Sequence, residues 1–128
     1  MPPHHRINYI ELPATDLAAS KAFYAAVFGW TYTDYGPEYC SFNEAPNPDA
    51  PSDTGLDGGL TTMGPPPTPG ASAPLVVFYS GDLEATCEAV AAAGGMVVKP
   101  IFDFPGGRRF HFTDPAGNEL AVWGESAE

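Results

Sequence analysis

Asp16–Leu17–Ala18–Ala19–Ser20 and Asp82–Leu83–Glu84–Ala85–Thr86 stand 66 residues apart, and the register between them holds without a gap. Ala19 meets Ala85, Ala26 meets Ala92 and Gly29 meets Gly95. Each copy opens on an Asp, runs through Ala-rich sequence and reaches a Gly thirteen positions later. Asp accepts hydrogen bonds from the orphan N–H groups of a helix start. Gly takes the left-handed conformation past a helix end. The spacing therefore predicts two similar helices, and a chain built from one small unit used twice.

The flanks carry the same repeat. Residues 7–12 read as a strand, with Asn8, Ile10 and Leu12 on one face and Ile7, Tyr9 and Glu11 on the other. The first helix presents Ala19, Phe23, Ala26 and Val27 as an apolar stripe. Trp30–Tyr35 and Tyr39–Asn43 follow as strands around the Gly36–Pro37 turn. Residues 44–58 are rich in Pro, Gly and acids and read as a surface loop, long enough to cover a site as a lid or to be a plain connection. Residues 60–63 return as a short strand. Residues 64–74 hold a run of prolines that keeps a linker extended.

The second copy begins with residues 75–79, a nearly continuous apolar run suited to a buried strand. Its helix carries Leu83, Cys87, Val90 and Ala91 at helical spacing and stops at Gly94–Gly95. Residues 96–101 form a strand, and residues 108–113 alternate, with Arg109, His111 and Thr113 on one face. Asp114–Pro115–Ala116–Gly117 has turn chemistry. Residues 118–123 are the last strand, with Glu119, Ala121 and Trp123 on one face. Each copy reads strand, helix, three strands. About 60 residues are too few to close a core readily, so the two modules are expected to form one domain over 1–128. Module one spans 6–63, the linker 64–74 and module two 75–124. The class is α+β: paired βαβββ modules forming a curled mixed sheet around a cavity, helices on the outer side.

Composition excludes several partners. The 128 residues include 16 acidic and 5 basic side chains, a formal charge of −11. Phosphates are repelled by such a surface, so neither nucleic acid nor anionic membrane is an expected partner. A cationic guest is compatible with it. Cys40 and Cys87 have no metal or redox spacing. No apolar run is long enough to span a bilayer, and no secretory signal is evident, so the cytoplasm is the expected location.

Asp16–Leu17, Ser20–Lys21–Ala22–Phe23–Tyr24, Phe28–Gly29–Trp30 and the late Asp114–Pro115–Ala116–Gly117–Asn118 together resemble the vicinal oxygen chelate superfamily. That superfamily includes glyoxalase I, extradiol dioxygenases and bleomycin-resistance proteins. The resemblance covers nearly the whole chain and implies the paired βαβββ fold already read from the repeat. It also implies a divalent ion held by His, Glu or Gln from four strands. The implied ligand positions fall at Tyr9, within residues 58–62, at Val76 and at Ala121. Valine and alanine cannot bind a metal, and a catalytic ion needs about three protein ligands. No cofactor is therefore expected at the family site, which leaves room for a displaced divalent metal elsewhere.

Other residues remain as candidates. Glu11 shares a face with Tyr9, so burial there would suit it to general-base work or to pairing with a cation. His111 would serve as an acid–base group or a polar anchor. Phe78 and Trp123 share faces with the lost ligand positions Val76 and Ala121 and would line an apolar pocket. Tyr39 and Tyr32 are weaker candidates of the same kind. Each has a plain alternative: a satisfied strand-edge carboxylate, a solvated strand face, a core aromatic. His4 and His5 read as a surface pair. The expected function is a small-molecule-binding protein of the glyoxalase and bleomycin-resistance type, metal-independent at the family site. The guest would be cationic or aromatic, and the assembly a homodimer. One alternative is a lyase, isomerase or dioxygenase-like enzyme using Glu11, Tyr9 or His111. The other is a degenerate member that associates with proteins. The sequence leaves open whether the modules pair within one chain or swap across a dimer.

Overall fold

The computed structural model describes residues 4–5, 9–42, 57–63 and 74–126. The 44–58 loop, except its last two residues, and the linker up to residue 73 lie outside the described residues. The chain divides into two compact units, 1–66 and 67–128. Each unit contains one βαβββ module with a four-stranded mixed sheet, so the expected α+β class and repeated plan hold.

In the first unit, β1 (Tyr9–Pro13) leads into α1 (Leu17–Phe28), then β2 (Tyr32–Asp34), β3 (Tyr39–Phe42) and β4 (Asp57–Thr61). The sheet order is β1-β4-β3-β2, with β1 parallel to β4 and the other pairs antiparallel. Asp16 caps α1 by accepting from the Ala19 N–H at 3.1 Å, and Gly29 closes it at φ 75°. The buried residues of α1 are Ser20, Phe23 and Tyr24, so the stripe is rotated from the expected one and Ala26 faces solvent. The rotation follows the aromatic rings. Tyr24 stacks on Trp30 at 4.4 Å, and Trp30 stacks on Phe42 at 4.0 Å. Trp30 is thus a buried wedge between helix and sheet, and the strand read from Trp30 shortens to three residues.

In the second unit, β5 (Val76–Tyr79) leads into α2 (Leu83–Ala92), then β6 (Met96–Phe104), β7 (Gly107–Thr113) and β8 (Glu119–Gly124). The order β5-β8-β7-β6 repeats the first sheet, with β5 parallel to β8. Asp82 caps α2 through the Ala85 N–H at 3.1 Å. Here the left-handed residue is Gly94 (φ 101°), not Gly95, so α2 ends earlier than its counterpart. Leu83 and Val90 are its buried residues, while Ala91 is exposed. The apolar run at β5 is not a buried strand: β5 lies at the sheet edge, and Val77 and Tyr79 are 43% and 53% exposed. Its side chains alternate between two faces, and Val77 and Tyr79 lie on the more exposed one. β6 is the other edge and tolerates Pro100, which has no N–H to give a ladder. Its register against β7 shifts around Lys99.

Candidate functional site

Among the described residues of each unit, the helix lies against one face of the sheet and the other face carries no helix of that unit. Side chains alternate along a strand, and paired residues share a face. In the first unit the Trp30–Phe42 stack marks the helix side, so Leu12, Cys40, Phe42 and Leu60 belong there. The free face carries Tyr9 and Glu11 from β1, Tyr39 and Ser41 from β3, and Gly59 and Thr61 from β4. Tyr39 donates its hydroxyl to Glu11 Oε2 at 3.1 Å, and the Tyr9 and Tyr39 hydroxyls bond each other. Gly59 makes this possible: a Cβ there would stand 2.2 Å from the Tyr39 hydroxyl oxygen. Burial, hydrogen bonds to Tyr9 and Glu11 and the neighbouring charge together push the Tyr39 phenol up, so it remains a neutral donor.

These contacts unite Tyr9, Glu11 and Tyr39. They also correct the setting expected for Glu11. It is exposed on an edge strand and already hydrogen-bonded, not buried beneath an apolar bowl. Tyr32 is on the helix side, its hydroxyl donated to the Lys21 carbonyl at 2.9 Å.

In the second unit two contacts mark the helix side. Arg108 reaches Glu84 of α2 at 2.6 Å, and a Cβ on Gly124 would lie 3.6 Å from Leu83 Cβ. Phe110, Phe112, Leu120 and Val122 share that side. The parallel register pairs Val76 with Leu120 and Phe78 with Val122. Phe78 and Val76 therefore point toward the helix-covered core, opposite to Ala121 and Trp123. This overturns their expected place on a common wall. Val77 and Tyr79 stand beside Ala121 and Trp123 instead. A continuous apolar run has no alternation from which the outward residues could be chosen.

The free face of this unit assembles Tyr79, Arg109, His111, Glu119, Trp123 and two β6 phenylalanines. Trp123 meets Tyr79 edge-on at 5.0 Å and Phe104 at 6.4 Å. The Arg109 guanidinium lies over the Phe102 and Phe104 rings at 5.7 and 5.5 Å. His111 is 4% exposed, and its Nδ1 lies 3.0 Å from Glu119 Oε2. A carboxylate only accepts, so Nδ1 carries the proton and donates. In the neutral ring Nε2 is then a bare acceptor, and it is buried without a partner. Leaving such a group unpaired costs roughly 1–3 kcal/mol. The strand is thus not a solvated one, although two arginines precede the His at positions 108 and 109.

Glu119 was not singled out from sequence as the partner of His111. The signal was available in the turn. Asp114 accepts from the Ala116 and Asn118 N–H groups at 3.0 and 2.9 Å and from Asn118 Nδ2 at 2.8 Å. That turn sets Thr113 against Glu119 and His111 against Ala121, which brings His111 and Glu119 to one diagonal. His4 and His5 stack on each other, exposed. A cleft of about 200 Å³ at the start of α2 is lined by Ser80, Asp82, Glu84, Arg108 and Glu125, and includes none of the candidate residues.

A sequence profile described as the Glyoxalase/Bleomycin resistance protein/Dioxygenase superfamily matches residues 6–122. The chain belongs to this family. It is 33% identical to the anthracycline biosynthesis protein DnrV of Streptomyces peucetius over 90% of this chain and 45% of that one. It is 31% identical to a glyoxylase-like domain-containing protein of Didymella fabae, covering 93% of both. The chain spans under half the length of the mycobacterial and streptomycete relatives it matches. Among solved structures, the fosfomycin resistance protein FosX of Listeria monocytogenes shares the fold at TM-score 0.72 and 18% identity, covering 94% of this chain and 93% of that one.

The family's metal can be tested against the residues present. At the implied positions stand the Tyr9 phenol, Gly59 and Thr61 on the free face of β4, Val76, which points to the helix side, and Ala121. Two of these side chains offer no donor atom and one residue has no side chain, which does not fit a divalent ion. Among the described residues no three His, Cys, Asp or Glu side chains converge as a metal site.

Proposed function

We propose that this chain is a small-molecule-binding member of its family, working without a metal at the family's ligand positions. The observation that carries the reading is the free face of the second module. Ala121 and Val77 stand side by side, and Trp123, Tyr79, Phe102 and Phe104 form an aromatic group on the adjoining rows of the same face. Apolar pockets are built from aromatic walls with a few polar anchors. His111 and Arg109 are the anchors here. The likeness to an anthracycline biosynthesis protein supports an aromatic guest. Tyr9, Glu11 and Tyr39 offer a second polar patch on the first module. The same proposal includes a homodimer, a single domain over 1–128 and a cytoplasmic location.

The test pairs elemental analysis with binding. Purified protein is expected to hold far less than one equivalent of divalent metal and to bind aromatic small molecules with quenching of Trp emission. Stoichiometric metal lost on Glu11→Ala substitution would refute the metal-free reading. Light scattering checks the dimer.

A second reading has its own observation. The Glu119–His111 pair is the arrangement in which a carboxylate orients an imidazole for proton transfer through Nε2. Under it, a bound molecule would be turned over, and His111→Gln would abolish turnover more than binding. Recovery of every bound molecule unchanged supports the binder.

A further inference from the structure

We propose that the free face of the second module takes a small aromatic acid bearing a hydroxyl group, the hydroxyl donating to His111 and the acid accepting from Arg109. This rests on the binding reading above and names its ligand class.

The two anchors are complementary orphans. In the neutral ring, with its proton on Nδ1 facing Glu119, His111 Nε2 is a buried acceptor without a donor. Arg109 Nε is a buried donor without an acceptor. The ion pairs of the described residues are Lys21–Asp34, Arg108–Glu84 and His111–Glu119, and Arg109 is in none of them. Its neighbour Arg108 has a bidentate carboxylate. In a chain of formal charge −11, a guanidinium held over two phenyl rings and left without a carboxylate is a site for an anion.

The spacing then limits the guest. Arg109 and His111 are two residues apart on β7, so their side chains leave the sheet on one face about 7 Å apart. A ligand that satisfies both needs a hydrogen-bond donor at one end and an anionic acceptor at the other. Phe102 spans the same gap, 5.9 Å from the His111 ring and 5.7 Å from the guanidinium carbon. At 37% exposed, it also opens the cluster to solvent. A ring between the two polar ends has Phe102 to pack on. An aromatic ring with para hydroxyl and carboxylate groups meets these requirements. The composition alone suggested a cationic guest; the unpaired Arg109 reverses the sign at this site.

Calorimetry on the full chain tests this with 4-hydroxybenzoate, benzoate, 4-hydroxybenzyl alcohol and indole. Binding of 4-hydroxybenzoate should be at least tenfold tighter than that of benzoate, which lacks the donor, and of the alcohol, which lacks the acid. His111→Gln should erase the preference over benzoate while keeping the preference over the alcohol. Arg109→Gln should do the reverse. General loss of folding cannot produce that crossed pattern, and circular dichroism verifies the fold of each variant. Equal binding of the three phenyl compounds by the unsubstituted chain would overturn the proposal whatever the variants do. Binding of indole without any advantage for the acid would overturn it and leave the binding reading standing. No binding of any of the four would overturn both.

Discussion

The two modules use one ladder for two different walls. In each, the residue after the first strand anchors to the last strand: the Ala14 N–H donates to the Thr61 carbonyl at 2.8 Å, and the Ser80 N–H to the Trp123 carbonyl at 2.9 Å. With those anchors aligned, Glu11 corresponds to Val77, Gly59 to Ala121, Thr61 to Trp123, Tyr39 to Arg109 and Ser41 to His111. The free face of module one is small and hydroxylated. That of module two is aromatic and carries an imidazole and a guanidinium. The helix sides differ too. Module one packs the Tyr24–Trp30–Phe42 ring stack, and Gly58 stands where module two has Leu120. Backbone pairing is indifferent to side chains on either face, so duplication could keep the ladder while both surfaces diverged.

The largest expected effect attacks the ring stack. Trp30→Ala should cost about 4 kcal/mol in urea unfolding followed by circular dichroism, since a large ring leaves a cavity between two others. Leu120→Ala in module two should cost about 3 kcal/mol. A reversed order would show that the ring stack contributes less to module one than Leu120 does to module two. Next, Gly58→Ala should cost about 3 kcal/mol by overpacking. Its Cβ would stand 2.2 Å from the Ile10 carbonyl oxygen and 2.4 Å from Phe42 Cζ, and the backbone atom cannot step aside. Pairing it with Phe42→Leu should recover part of the loss in the same unfolding assay.

Smaller effects sharpen the symmetry. Asp16→Ala and Asp82→Ala remove equivalent caps of equal length and should each cost about 1 kcal/mol in thermal or urea unfolding. A difference above that size would show that the modules do not share their helix-starting energetics. The smallest effect concerns the helix-to-sheet ties, Lys21–Asp34 in one module and Arg108–Glu84 in the other. The hydrogen bond from Arg108 holds the Glu84 carboxyl below its ordinary value. A depressed carboxyl contributes stability above its unfolded value and loses it as pH falls through the folded one. Arg108→Gln should therefore let the Glu84 titration midpoint rise in carbon-detected NMR, with little change in stability because the Glu84 carboxylate is exposed.

Much of the fold was legible in the chain because the relevant forces are short-ranged. Asp16, Asp82 and Gly29 do what their local chemistry predicts. The alternation at residues 9–12 and 108–113 correctly sorts side chains onto two faces. The candidate site was less legible. A run of apolar residues carries no period-2 signal, so nothing in residues 75–79 marks Val76 and Phe78 as facing the helix. Trp30 has the aromatic side chain that favours sheets, whereas here a stack between helix and sheet outweighs that preference. The role of Glu119 is not legible locally, because it depends on which residue it faces across a hairpin.

The sequence by itself determined the duplication, the two capped helices and the strand–helix–three-strand plan of each module. Those follow from hydrogen bonds and side-chain periodicities within a few residues of each position. Only the tertiary structure decided that Val77, not Val76, stands beside Ala121, and that Glu119 fixes the His111 proton while Arg109 is left without a carboxylate. Register between strands is set by pairing over 40 or more residues, as Val77 with Ala121 shows, and a shift of one residue turns every side chain to the other face.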